Sequence, residues 1–115
     1  MKEVRAYVRE NMASAVVQAL VSDGWTDFSI LEVRGIAEGL PAPAKYDYSV
    51  GLGDLYERII KFEVVCRDDS ADRLAELIRS VAYTGQLGDG MVFIAPVDEA
   101  LRIRTGERGD ATLPK

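Results

Sequence analysis

Ile59-Ile60-Lys61-Phe62-Glu63-Val64-Val65-Cys66 is followed by Asp68-Asp69-Ser70 and then by apolar residues at Ala71, Leu74, Ala75, Ile78, Val81 and Ala82. The first eight residues are rich in β-branched and aromatic side chains, which favours a strand. The second run shifts to the i, i+3, i+4, i+7 period of a helix with one buried face. Its two aspartates and Ser70 suit a capped, negatively charged first turn. Gly85 is read as the stop. After Thr84-Gly85-Gln86-Leu87-Gly88-Asp89-Gly90 comes Met91-Val92-Phe93-Ile94-Ala95-Pro96-Val97, a further strand.

The N-terminal half has the same plan. Val4, Ala6 and Val8 alternate with polar residues, which predicts a half-buried strand. Asn11 is then the expected N-cap of a helix whose stripe is Met12, Val16, Ala19 and Leu20, stopped at Gly24. Phe28 to Val33 reads as a second strand ending at Gly35. A last short run, Leu101-Arg102-Ile103-Arg104, is strand-like and precedes a polar tail from Thr105 to Lys115.

Between the halves, residues 36–57 keep neither period and contain Gly39, Pro41, Pro43, Gly51 and Gly53 with Tyr46, Tyr48 and Tyr56. At roughly 20 residues this exceeds ordinary connections, and such loops usually carry function or are disordered. It is the first candidate for a partner-binding element, its three tyrosines suiting either partner contacts or packing of the loop against the body. The order strand, helix, strand, long loop, strand, helix, strand is the βαββαβ pattern of an α+β, ferredoxin-like sandwich, with a short extra C-terminal strand. Two helices cover one face of a four-stranded sheet. Ile59, Val65 and Phe93 lie on the opposite face from Phe62 and Val64, so burial against further copies of the chain is expected.

Composition narrows the chemistry. The chain has 115 residues, 48% hydrophobic and 29% charged, enough for one domain spanning 1–115. The net charge of −5 gives no electrostatic preference for nucleic acid. With no histidine and one cysteine, Cys66, a zinc site within the chain is disfavoured and no metal is required. The single cysteine suits a reducing compartment. Neither a signal-like stretch nor a run near the ~20 apolar residues of a membrane span is present, so a cytoplasmic protein is expected. No serine or threonine sits in a nucleophile motif, and the commonest general base is absent, so an enzyme is not expected.

Three constellations carry binding chemistry. Gly88-Asp89-Gly90 sits in a turn before a strand, where positive φ at glycine can aim successive amides at an anion; it also suits an ordinary tight turn. Arg102 and Arg104 share one face if they lie on a strand, and two guanidinium groups can clamp a phosphate or carboxylate; taken alone, the pair also suits a solvated or salt-bridged edge. Lys61 and Glu63 are charges inside an apolar strand. For Lys61 an intersubunit ion pair is expected, while Glu63 stays open. Cys66 reads as a packing residue, and the Asp68, Asp69, Asp72 cluster as helix-start chemistry.

Four stretches join these features: Glu32-Val33-Arg34-Gly35, Thr84 to Gly90, Val92 to Val97, and Arg102-Ile103-Arg104-Thr105-Gly106-Glu107-Arg108-Gly109. On them, and on its element order, the chain resembles the PII family of signal-transduction proteins, also called nitrogen regulatory protein P-II. The resemblance implies a homotrimer with adenine-nucleotide sites in the clefts between subunits. Gly88, Asp89 and Gly90 would wrap the phosphates with backbone amides, and Arg102 and Arg104 of the neighbouring subunit would neutralise them. Ser29 matches the hydroxyl residue near the adenine, Glu63 and Val65 match positions lining the base, and Gly35 marks the start of the family's T-loop. That loop reaches channels, transporters or enzymes and changes shape with the bound effector.

The departures from the family pattern bear on the ligand. The family's phosphate-contacting lysine is Met91 here. The loop-base glutamine that helps hold magnesium and 2-oxoglutarate is Gly39, Glu38 stands where an arginine is expected, and the lysine that binds the 2-oxoglutarate carboxylate is Ile59. Losing cations and gaining a carboxylate disfavours the most highly charged ligand. The Tyr-Arg-Gly-Ala-Glu-Tyr uridylylation motif is not reproduced by Tyr46 and Tyr48. The expectation is a PII-like regulator that favours AMP or ADP over ATP, with a second small-anion signal such as bicarbonate and a transporter or enzyme as partner. The alternatives are a standard nitrogen regulator sensing ATP, ADP and 2-oxoglutarate, and a trimeric scaffold without ligand sensing. A weak nucleotide hydrolase and a CutA-type metal-binding trimer fit less well, for want of a base and of histidine.

Overall fold

The computed structural model describes residues 1–35 and 57–113. The tyrosines Tyr46, Tyr48 and Tyr56, with Glu38 and Gly39, lie outside the described residues. The elements are β1 (Lys2–Arg9), α1 (Ala13–Ser22), β2 (Ser29–Gly35), β3 (Glu57–Cys66), α2 (Ala71–Ala82) and β4 (Gly90–Pro96), with 3₁₀ turns at Glu10–Met12, Asp68–Ser70 and Gly109–Thr112. The strands form one antiparallel sheet in the order β2-β3-β1-β4. This is the expected ferredoxin-like α+β sandwich.

Period-two patterning places Val4, Ala6 and Val8 of β1 beside Phe62 and Val64 of β3 on one face, all essentially excluded from solvent. Val16 and Leu20 of α1, and Leu74 and Ile78 of α2, close over them. Phe28 reaches the same core, its ring 6.3 Å from that of Phe62. α1 ends in a Schellman motif: Gly24 takes φ +92°, its amide donates to the Val21 carbonyl (3.0 Å), and Trp25 N donates to the Leu20 carbonyl (2.9 Å). Trp25 is thereby folded into the core, and its indole N–H donates to Asp23 at 3.0 Å. Arg73 of α2 meets the same carboxylate at 2.6 Å and holds it below the ordinary carboxylate range.

Several local expectations are corrected. Asn11 is not an N-cap: it lies inside the 3₁₀ turn, and Met12 occupies the cap position without a side-chain bond. The chain coming off β1 tightens into i→i+3 geometry before the helix opens, which moves the helix start one residue on. α2 ends at Ala82, with Tyr83 already extended, so Gly85 (φ +85°) turns the following loop instead of stopping the helix. Leu101–Arg104 is not a strand. A single bridge joins Leu101 to Arg108, and Arg102 N donates to the Glu107 carbonyl at 2.9 Å. Gly106 (φ +75°) and Gly109 (φ +70°) turn the chain back too soon for a ladder to form. The stretch after Thr105 then folds onto the body, with Thr112 buried.

The other sheet face carries no helix. It presents Tyr7, Leu31, Ile59, Lys61, Glu63, Val65, Met91 and Phe93, of which Leu31, Met91 and Phe93 are well exposed. Tyr7 and Phe93 meet edge to face, with ring centroids 5.9 Å apart.

Candidate functional site

Between α2 and β4 the chain makes a turn organised around one carboxylate. Asp89 accepts from Thr84 N (2.8 Å), Gly85 N (2.9 Å), the Thr84 hydroxyl, and Arg9 Nε (3.2 Å). The Thr84 hydroxyl accepts in turn from Gln86 N at 3.2 Å. These donors, the Thr84 hydroxyl foremost, hold the Asp89 carboxyl well below the ordinary carboxylate range. Gly88 and Gly90 have φ of +94° and +106°. At Gly90 a side chain is sterically impossible, because a Cβ would lie 1.8 Å from the Tyr7 carbonyl oxygen. Among the described residues, the amides of Leu87, Gly88 and Asp89 donate to no acceptor of the chain. The Asp89 side chain is thus spent inside the turn, and what the turn offers an anion is its backbone. Beside it, a cleft of about 410 Å³ is lined mainly by apolar groups, among them Val8, Ile78, Ala82, Tyr83 and Met91.

A second cleft, about 680 Å³, gathers Ser29, Glu63, Val65, Arg102 and Arg104. Ser29 and Glu63 are direct cross-strand partners, and Val65 follows on the same face of β3. The two arginines reach this cleft from a turn and not from one strand face as expected. Arg102 donates through Nη2 to the Thr112 carbonyl, which ties the turn to the folded-back C-terminal segment, and its Nε lies 3.9 Å from Glu107. Arg104 is exposed.

Within the single chain Lys61 is paired as well. Its partner is Glu63 of its own chain, at 3.0 Å, because residues two apart on a strand share a face. The hydrogen bond to Glu63 raises the Lys61 pKa, and the ammonium stands 5.6 Å from the Tyr7 ring centroid. Cys66 is a buried packing residue whose thiol is pushed up by burial. Among the described residues no group of histidine, cysteine and carboxylate side chains could hold a metal ion.

The two clefts lie at different ends of the molecule. Gly90 pairs with Val8 near one end of β1, whereas Glu63 pairs with Arg5 and Val65 with Glu3 toward the other. In the order β2-β3-β1-β4 the glycine turn precedes one edge strand and Ser29 begins the other. The separation is roughly 14 Å across the sheet and about 10 Å along it. Gly35 ends β2 opposite Glu57, on the same end as the glycine turn. A single chain therefore brings together Ser29, Glu63, Val65, Arg102 and Arg104, and separately Gly88, Asp89 and Gly90, but does not join the two groups.

Sequence reasoning missed Arg9, Thr84 and Thr112. Arg9 and Asp89 are 80 residues apart, and only the β1–β4 pairing makes them neighbours. The Thr84–Asp89 spacing was readable as a side-chain-closed loop, since short polar side chains bond nearby backbone amides in turns.

A family model described as "Nitrogen regulatory protein P-II" matches residues 1–107. The chain is 39% identical over 112 residues to nitrogen regulatory protein P-II 2 of Methanothermobacter thermautotrophicus, covering 95% of this chain and 94% of that one. It is 35% identical over 108 residues to nitrogen regulatory protein P-II of Microchaete diplosiphon, covering 94% and 96%. The fold superposes on Arabidopsis thaliana PII, crystallised bound to citrate, with a TM-score of 0.76 and 31% identity over 96% of this chain and 89% of that one. With the family model, the relatives and the fold in agreement over nearly its full length, the chain belongs to the nitrogen regulatory protein P-II family of signal-transduction regulators.

Proposed function

We propose that the protein is a homotrimeric sensor that binds an adenine nucleotide between subunits and regulates a partner through residues 36–57. The observation that carries this reading is the separation of the two clefts: one offers arginines beside Ser29, Glu63 and Val65, the other offers backbone amides, and a neighbouring copy would bring them together. The uncovered sheet face with Leu31, Met91 and Phe93 supplies the apolar surface for such an assembly. In the composite site Ser29, Glu63 and Val65 line the base, Gly88, Asp89 and Gly90 cradle the phosphates with Gly35 nearby, and Arg102 and Arg104 neutralise them.

The charge balance favours AMP or ADP over ATP. Met91 stands beside the glycine turn as an exposed thioether, and Arg9 is engaged with Asp89 and Leu87. The positive charge then rests on Arg102 and Arg104, which suits one or two phosphates better than three. Bicarbonate fits the role of a second, small-anion signal, and a transporter or enzyme that of the partner. The role is regulatory and not enzymatic. No helix among the described residues is long and apolar enough to cross a membrane.

A second reading is a standard nitrogen regulator sensing ATP, ADP and 2-oxoglutarate, and the names of the relatives at 35–39% identity favour it. Calorimetric titration with AMP, ADP and ATP, with and without bicarbonate or magnesium plus 2-oxoglutarate, separates the two. Tighter AMP or ADP binding supports the first reading. Tight ATP binding that requires 2-oxoglutarate establishes the second, and no heat with any nucleotide leaves a scaffold.

A further inference from the structure

Arg9 is the last residue of β1, and it reaches the glycine turn at two points. Its Nε stands 3.2 Å from Asp89 Oδ1, and its Nη2 donates to the Leu87 carbonyl. These contacts lie on either side of Gly88, whose amide belongs to the anion-facing set. Both side chains are largely withdrawn from water, Arg9 at 20% and Asp89 at 24% exposure, so their mutual attraction is screened less than that of an open surface pair. Asp89 has three further donors, from Thr84 and Gly85, and these hold its position without Arg9. They carry no formal charge, whereas Arg9 does. A carboxylate left uncompensated within one turn of a bound phosphate would repel it.

We infer that Arg9 is a positioning residue for the anion-binding turn, which anchors the backbone on both sides of Gly88 and cancels the Asp89 charge beneath the phosphate. The inference rests on the nucleotide reading above, and it adds a residue from β1 that makes no contact of its own with the nucleotide. It implies that the Arg9 charge acts on the turn through the charge of Asp89, so removing both charges should cost less than removing one.

The test is calorimetric titration of ADP and of adenosine into the assembled wild type and the Arg9→Ala, Arg9→Gln and Arg9→Ala/Asp89→Asn variants. Arg9→Gln keeps a donor for the Leu87 carbonyl and removes the charge, and it also serves if Arg9→Ala does not assemble. The expected result is an ADP affinity lowered about tenfold in Arg9→Ala and somewhat less in Arg9→Gln, the size of one lost charge-assisted contact. Adenosine, which has no phosphate, should bind within about twofold of wild type, and the double variant should regain part of the ADP loss. Wild-type ADP affinity in both single variants, equal losses for ADP and adenosine, or a double variant weaker than Arg9→Ala would each overturn the inference. A wild type that binds neither ADP nor AMP would instead overturn the nucleotide reading on which it rests.

Discussion

At the scale of single residues, Asp89 and Arg104 show how different the demands on charged groups can be. Asp89 is acidic in a turn read as anion-binding, and it is tolerated because four donors surround its carboxylate. Its folded pKa lies below the unfolded value near 4, so its contribution to stability is complete above about pH 4 and is lost as pH falls through the folded value. Thermal melts between pH 2 and 6 should therefore show a smaller acid-side loss in Asp89→Asn than in wild type, and parallel curves would contradict the bonding described. Arg104, by contrast, is exposed at the mouth of its cleft, where substitution has little to disturb in the fold. Arg104→Ala should leave the melting temperature within about a degree or two and weaken nucleotide binding by about 1–3 kcal/mol. Unchanged affinity in titration would remove Arg104 from the site.

At the scale of elements, the long periodic segments were legible and the closures between them were not. The α2 stripe Ala71, Leu74, Ile78, Ala82 was readable from spacing and is the buried face of the helix. The four strands were readable within two residues because alternation or apolar continuity marked them. Leu101–Arg104 misled because alternating apolar and basic residues look the same in a strand and in a turn, and only Gly106 and Gly109 decide between them. The Arg9–Asp89 and Lys61–Glu63 contacts depend on register and strand order. A one-residue shift in register would reverse which face each side chain takes. The core built by these elements makes its own prediction: Leu74→Ala should destabilise the fold by about 2–5 kcal/mol in denaturant titration, since Leu74 of α2 is fully buried in the core. A loss below 1 kcal/mol would mean that the helix layer is not packed as described. Deleting residues 40–54 should abolish regulation of a partner and leave the assembly intact in light scattering, because the sheet and both helices are complete without them. A protein that dissociates on this deletion would show the segment to be structural.

At the scale of the whole molecule, two clefts stand apart that one chain cannot join, and the proposed nucleotide site needs both. Ser29, Glu63, Val65, Arg102 and Arg104 share one cleft, and the glycine turn lies at the other end of β1. Family membership explains the fold; on the proposed composite site the ligand is decided by the charges that meet when two copies come together, and Met91 would leave that balance short of a cation. The most direct measurement is subunit complementation. Two variants, Arg104→Ala and Gly88→Asp, each remove one half-site, and the two chains are refolded together in equal amounts before titration with ADP. If each site takes its turn from one subunit and its arginines from the neighbour, each variant alone binds poorly, whereas random mixing restores about a quarter of the wild-type number of sites at wild-type affinity. Mixed assemblies that bind no better than the separate variants would contradict the composite site.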